Sequence, residues 1–400
     1  MRINKTLWIG SIVLLICFGI YNFLNFIFQL IMVRMLSVSD YGILAALFSV
    51  TYVLSIFTET VQTVVTKYSS VENNLGKLKN ILKKSLKKSF FIAVYLFAAY
   101  LIIAIPLSRL LKISYPLFAL TGILIFSAFV LPVTRGVMQG KKRFKSLGIS
   151  VISESLVKII FAVAFVFIGW GVYGAVGGII MGVTASFIVS FVPLRDILKQ
   201  KEKKAKTIGI YNYTKPTLII SSLVIVFYSL DIIIAKILFS SEVAGAYAVA
   251  SILSKVIFWG TQPISRAMFP LSTENNSNKN KSRNLFINAF SILMMCVVVA
   301  LIVFYFFPKL IIYIFSGKVL DQSASILFYL GIATSFLSIT NLILLYRLSI
   351  NKSAKLHYLL PFIIIEILLL FIFSADMIQF SIAFMIASGL LLIGSVLLSK

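Results

Sequence analysis

The sequence predicts an all-α polytopic membrane protein with about twelve transmembrane helices in two six-helix bundles. Three observations carry this. First, 60% of the 400 residues are hydrophobic and only 12% are charged, where a soluble domain carries about 25%. An apolar stretch of about twenty residues crosses a bilayer core, so the apolar content fills about twelve crossings and leaves no large extramembrane domain. Second, Lys and Arg number 37 against 12 Asp and Glu, and the cations alternate with the apolar runs. Third, the chain repeats itself at about half its length.

The apolar runs give the elements in order. The first, 7–35, is too long for the core of a signal peptide and is read as a retained helix. The second, 41–66, opens after Ser39-Asp40 and stops at Lys67. A basic tract holding Lys77, Lys79, Lys83, Lys84, Lys87 and Lys88 is read as a loop that faces anionic lipid. The third helix, 89–108, stops at Arg109, and the fourth, 116–138, ends before Gly140 and the bases of 141–145. Gly169-Trp170-Gly171 separates 146–169 from 172–194. After a basic stretch at 195–215 come 216–238 and 243–270, split by Ser240-Ser241-Glu242. Charge and turn residues bound the last four, at 284–307, 323–346, 355–374 and 377–399.

Charge placement orients the chain. With the N-terminus inside, 28 of the 37 cations fall in inner segments, six in outer segments, and three, Arg135, Lys158 and Lys255, within helices. Inner loops rich in Lys and Arg are the rule in multi-pass proteins. The bias predicts that both termini are cytoplasmic. It also removes the nucleic-acid reading that a net charge of +25 would otherwise invite.

Shifted by 202 residues, Gln29-x4-Arg34-x4-Ser39-Asp40 falls on Asp231-x4-Lys236-x4-Ser241-Glu242. Each copy ends one apolar helix with a base, turns on a Ser-acid pair and opens another. Two parallel halves follow, 1–200 and 201–400, each of six helices.

At these residues the chain resembles the polysaccharide-transporter (Wzx-like flippase) family of the multidrug/oligosaccharidyl-lipid/polysaccharide (MOP) superfamily. Arg34-Met35-Leu36-Ser37-Val38-Ser39-Asp40-Tyr41-Gly42 is similar to that family's R-x-L-s-x-x-x-Y-G pattern. Glu242-Val243-Ala244-Gly245-Ala246-Tyr247 is a weaker second copy. Gly136-Val137-Met138-Gln139-Gly140 and Gly169-Trp170-Gly171-Val172-Tyr173-Gly174-Ala175 look familiar too. The resemblance implies a MOP/MATE-like fold of two bundles around a cavity. It implies as substrate an oligosaccharide on undecaprenyl pyrophosphate, moved to the outer leaflet by alternating access. Glycan-assembly machinery is then an expected partner, and the bacterial cytoplasmic (inner) membrane the expected location.

Ionisable groups at bilayer depth cost at least ~2.5–3.5 kcal/mol on insertion scales and normally face protein or a wet cavity. Arg135, Lys158 and Lys255 are the candidate cations for a pyrophosphate. Asn22, Asn25 and Gln29 form one polar stripe, Glu59 and Gln62 belong to another, and Ser150, Glu154 and Lys158 to a third, each at helical spacing. Glu154 and Lys158 neutralise each other at i, i+4 or contact substrate. Arg135 snorkels to headgroups or lines the cavity. Lys255 has no acid one turn away on its own helix. Glu59, Asp231 and Glu366 pair with cations or bind a coupling ion, proton or sodium. Gly171, Gly174, Gly177 and Gly178 lack a following Gly-Lys-Ser/Thr, so they are read as packing residues rather than a phosphate loop.

No catalytic, metal or cofactor constellation is expected. Cys17 and Cys296 lie in apolar runs, and His357 is the one histidine. The alternatives are a MATE-type multidrug/cation antiporter, which would want an acidic cavity, and a membrane-embedded glycan polymerase, which would want a larger outer loop.

Overall fold

The computed structural model describes residues 5–205, 215–274, 279–350 and 356–397, and all their regular structure is helical. The first helices are α1 (Lys5–Met35), α2 (Val38–Tyr52), α3 (Leu54–Val71), α4 (Leu75–Leu110), α5 (Tyr115–Gly122) and α6 (Leu124–Gly140). Next come α7 (Phe144–Phe165), α8 (Gly171–Phe191), α9 (Arg195–Leu198), α10 (Lys215–Leu238), α11 (Ser241–Ser254) and α12 (Val256–Glu274). The last are α13 (Lys279–Phe306), α14 (Pro308–Ser316), α15 (Asp321–Ser349), α16 (Pro361–Ile372) and α17 (Met377–Leu397). Val53, Ile123 and Lys255 interrupt three spans yet keep right-handed dihedrals, so the chain runs on in one direction. Reading through them leaves twelve helical spans among the described residues, the shortest of them α16, with α9 and α14 as short connectors. Among the described residues, nine segments meet the length and apolarity of a bilayer crossing, and one of these, Phe144–Leu198, contains both α7 and α8. The molecule is a multi-pass membrane protein.

Two compact units separate: Met1–Leu36 with Thr51–Tyr213, and Ser37–Val50 with Thr214–Lys400.

In the first unit, the basic tract at 77–88 is not a loop. It forms the opening turns of α4, capped by Asn74, whose side chain accepts from the amides of Gly76 and Lys77. Leu78 and Leu82 fall one turn apart and are buried, with Leu75 and Leu86 packed on the same cluster. That face meets Val65, Val133, Val137, Met138, Leu147, Leu194 and Ile197, while Lys83, Lys84, Lys87 and Lys88 stay exposed. Full burial of a leucine stabilises by roughly 1.5–3 kcal/mol, enough to hold these turns despite their charge. The lysine count conceals a period of 3.6.

The tract also holds the chain leaving the unit. Lys79 Nζ donates to the carbonyls of Leu198 (2.6 Å) and Gln200 (2.7 Å). Glu202 accepts from Asn80 (2.6 Å) and Lys83 (3.0 Å), and Asn80 Oδ1 accepts from the Ala205 amide at 3.2 Å. These donors hold the Glu202 carboxyl below its usual pKa, Asn80 first and Lys83 second.

The α7–α8 hairpin turns at Gly169 and Gly171, whose φ values of 99° and 50° suit residues without a Cβ. Gly174, Gly178 and Gly182 then recur one turn apart along α8 and face α7. A Cβ on Gly174 would lie 2.8 Å from the Phe165 backbone, one on Gly182 would lie 2.8 Å from Lys158 Cβ, and one on Gly178 would strike the Ala162 backbone. The expected packing role therefore falls to Gly174 and Gly178, joined by Gly182. Gly171 is a turn residue, and Gly177 has only the Phe165 ring nearby, at 3.3 Å.

In the second unit, the two Gly-Tyr copies meet. A Cβ on Gly42 would come within 2.7 Å of Gly245 Cα, and one on Gly245 would strike the Val38 carbonyl. Glycine at both positions lets α2 and α11 cross at backbone contact. Ser323 of α15 donates to the Ala246 carbonyl (2.7 Å), and Thr334 donates to that of Ser254 (3.1 Å).

Candidate functional site

Each unit holds a buried charged cluster. In the first, Arg135 of α6 is 8% exposed. Its Nη2 donates to Glu154 Oε2 of α7 (2.5 Å), Ser186 Oγ of α8 (2.8 Å) and the Ser150 carbonyl (3.3 Å). Ser186 Oγ donates to the Ser150 carbonyl at 2.7 Å. A guanidinium so held inside three helices does not snorkel. A carboxylate and an Arg within 4 Å satisfy each other far better than either is satisfied alone in a low-dielectric interior.

Lys158 is therefore not paired with Glu154. Glu154 is taken by Arg135, and the Lys158 ammonium reaches α1 instead. There it donates to Asn25 Oδ1 and lies 4.6 Å from the Phe28 ring centroid. Asn25 donates in turn to the Tyr21 carbonyl at 2.8 Å. Its hydrogen bond and its ring contact are with neutral groups, Glu154 lies within electrostatic reach but is held by Arg135, and the Lys158 side chain is 8% exposed. Asn22 and Gln29 are half-buried on the same helix. Gln62 of α3 donates to Gln139 of α6 at 2.8 Å, and Thr66 meets the same amide oxygen at 3.3 Å. Glu59 is exposed.

In the second unit, Lys255 sits at the break between α11 and α12 and meets Asp231 of α10 at 2.8 Å. The absence of an acid on its own helix misleads, because the partner comes from the preceding helix. Asp231 also accepts from Ser251 Oγ (2.5 Å) and from Tyr247 Oη (3.2 Å), the tyrosine of the second Gly-x-Tyr copy. Lys255 lies 4.4 Å from the Tyr228 ring centroid, and Trp259 donates to Tyr228 Oη at 2.7 Å. Glu366 of α16 is fully buried within electrostatic reach of this pair, and neither carboxyl oxygen has a hydrogen-bond partner. Charge and helical spacing do not single out Ser186, Gln139, Tyr228 or Tyr247 as members of these clusters. Tyr247 carries a signal in its place in the repeated motif, and Gln139 in its place within Gly136-Val137-Met138-Gln139-Gly140.

Residues 31–325 match the family described as polysaccharide biosynthesis protein. The chain belongs to that family. No curated protein matches it significantly by sequence. Solved structures share the fold of this family member. An inward-facing multidrug resistance MATE family transporter of the MOP superfamily is 14% identical, with a TM-score of 0.79 over 95% of this chain and 94% of that one. A eukaryotic MATE transporter is 14% identical, with a TM-score of 0.71 over 99% and 95%. A MOP superfamily transporter from Pyrococcus furiosus, described as having a binding pocket of reversed polarity, is 16% identical, with a TM-score of 0.66 over 99% and 96%. This member of the polysaccharide biosynthesis family thus has the fold of the MOP transporters.

Proposed function

We propose that the protein is a transporter that carries a lipid-linked oligosaccharide across the cytoplasmic membrane by alternating access, its two halves 1–200 and 201–400 acting as the moving bundles. The observation that carries this reading is Lys158. A cation near the middle of a bilayer-spanning helix normally binds a carboxylate, yet Lys158 donates to an amide oxygen and lies over an aromatic ring, while the neighbouring Glu154 is bonded to Arg135. That leaves positive charge to offer an anionic group, which suits a pyrophosphate and not a cationic drug. The reversed pocket polarity described for the Pyrococcus furiosus relative is in keeping with such a departure from multidrug transport. Arg135 and Lys255 serve as supports of the two clusters, each neutralised by its own acid. Glu366 is the coupling residue in this reading, a buried carboxyl whose oxygens have no hydrogen-bond partner and can take a proton or coordinate a sodium ion.

The test is flipping of a lipid-linked oligosaccharide in reconstituted vesicles with an imposed proton or sodium gradient. Lys158→Met should lose most of the flipping while the protein stays folded. Glu366→Gln should uncouple flipping from the gradient. Flipping by Lys158→Met at the wild-type rate would remove the charge argument, and an unchanged gradient response in Glu366→Gln would remove the coupling assignment.

A further inference from the structure

We infer that the end of the second unit where α12, α13 and α15 converge is a recognition site for a phosphoryl headgroup, anchored by Arg347. By charge pattern alone, Arg347 is one more inner-loop base. The structure places it instead inside the last turn of α15, only 6% exposed. Neither Nε nor Nη1 has a hydrogen-bond partner. The other buried cations named above all have one: Arg135 has Glu154, Lys255 has Asp231 and Lys158 has Asn25.

The neighbours are unsatisfied in the same sense. α12, α13 and α15 pack on one another. The Phe286 ring of α13 lies 4.7 Å from that of Tyr346, the residue before Arg347, so the opening turns of α13 flank the closing turn of α15. Ser282 precedes Phe286 by one turn, is buried and has an unbonded Oγ. On α12, Ser272 and Ser265 lie two turns apart on one face, both buried and both unbonded. Three helices therefore bring orphaned hydroxyls and a guanidinium to one end of the unit.

An orphaned buried donor costs about 1–3 kcal/mol, and more when charged. A guanidinium can only donate, so a ligand that satisfies this set must accept. Phosphoryl oxygens do so, two at a time, against the planar fork of an arginine. Arg347 closes a bilayer-spanning helix, which is headgroup level. The ligand assigned is the pyrophosphate of an isoprenoid lipid. That identity rests on the transport reading above, whereas phosphoryl binding by itself does not.

The experiment uses the full chain in nanodiscs of phosphatidylcholine. The probes are farnesyl pyrophosphate, inorganic pyrophosphate and phosphatidylglycerol, read by native mass spectrometry and by thermal midpoint. Arg347→Met should weaken farnesyl pyrophosphate binding at least about tenfold, with partial retention in Arg347→Lys. Ser272→Ala with Ser282→Ala should weaken it by a smaller factor. Arg143→Met, which removes a base paired with Asp196 in the first unit, should bind as wild type. Without ligand, Arg347→Met should keep or raise the thermal midpoint, because an uncompensated buried charge is gone. Equal binding by Arg347→Met and wild type would overturn the site. So would a lowered midpoint in the unliganded Arg347→Met protein, since the arginine would then be a structural support. Phosphatidylglycerol competing as well as farnesyl pyrophosphate would overturn the isoprenoid assignment. If Arg347-dependent binding persists while lipid-linked oligosaccharide is not flipped, the transport reading fails and the site stands. If the glycolipid is flipped with no Arg347-dependent binding, the site fails and the transport reading stands.

Discussion

Replacing Lys255 with methionine takes the ammonium from a carboxylate that is wholly buried. Removing one partner of a buried ion pair costs about 3–5 kcal/mol, because the other charge is left in low dielectric. Asp231 keeps two donors, the hydroxyls of Ser251 and Tyr247, so Lys255→Met should fall at the lower end of that range. Asp231→Leu should cost more. It leaves Lys255 with the Tyr228 ring, a desolvated contact worth about 2 kcal/mol, and with a Glu366 carboxyl that is within electrostatic reach but not hydrogen-bonded to it, and it leaves two hydroxyls without their acceptor. The double variant removes both charges together and should recover most of the loss, so the two single effects should exceed the double by several kcal/mol. The assay is the loss of monodisperse protein with temperature in detergent for all four members of the cycle. If the single effects simply add, or if Lys255→Met is as stable as wild type, the pair does not hold the second unit together.

Gly178→Leu should prevent stable folding, since any Cβ there meets the Ala162 backbone, whereas Gly177→Ala asks only that the Phe165 ring shift slightly. Expression and monodispersity of the two proteins compare them directly. Amide exchange at Lys203 and Ala205 should stay slow from neutral pH downward and quicken below about pH 4, since a carboxyl held below its usual pKa contributes above that range and loses its contribution as pH falls through it. Glu202→Gln should quicken that exchange at pH 7, and unchanged protection would show that the acid does not hold the segment. In a protein whose Cys17 and Cys296 are replaced by serine, cysteines at positions 40 and 320 should be labelled from outside, and those at 77 and 204 should not. External labelling at 77 would reverse the orientation.

The spans were legible because apolar runs of the right length leave little choice in a bilayer. The start of α4 was not, because Lys77 to Lys88 dominate the composition while Leu78 and Leu82 supply the period. The charged residues of both clusters were also visible, since Arg135, Glu154, Lys158, Asp231, Lys255 and Glu366 stand out against apolar sequence. Their pairing was not. Spacing on one helix finds partners only at three or four residues, whereas Arg135 meets Glu154 across 19 residues and Lys255 meets Asp231 across 24. The same limit made Glu154 and Lys158 look like a couple. Arg347 was hidden differently, by standing among loop bases in the charge tally, and only its burial sets it apart.

The two ion pairs also bear on how the chain is made. In each, the partners come from spans that follow one another in synthesis, α6 with α7 and α10 with α11. A lone Arg135 or Asp231 entering the bilayer would carry the insertion penalty of a bare charge. Its neutralising partner leaves the ribosome on the very next span. Each pair of spans can therefore leave the insertion machinery as a hairpin with its charge already balanced, before any later helix has arrived. Separating them with an inserted spacer helix would then be felt first as failed membrane integration, ahead of any defect in the finished protein.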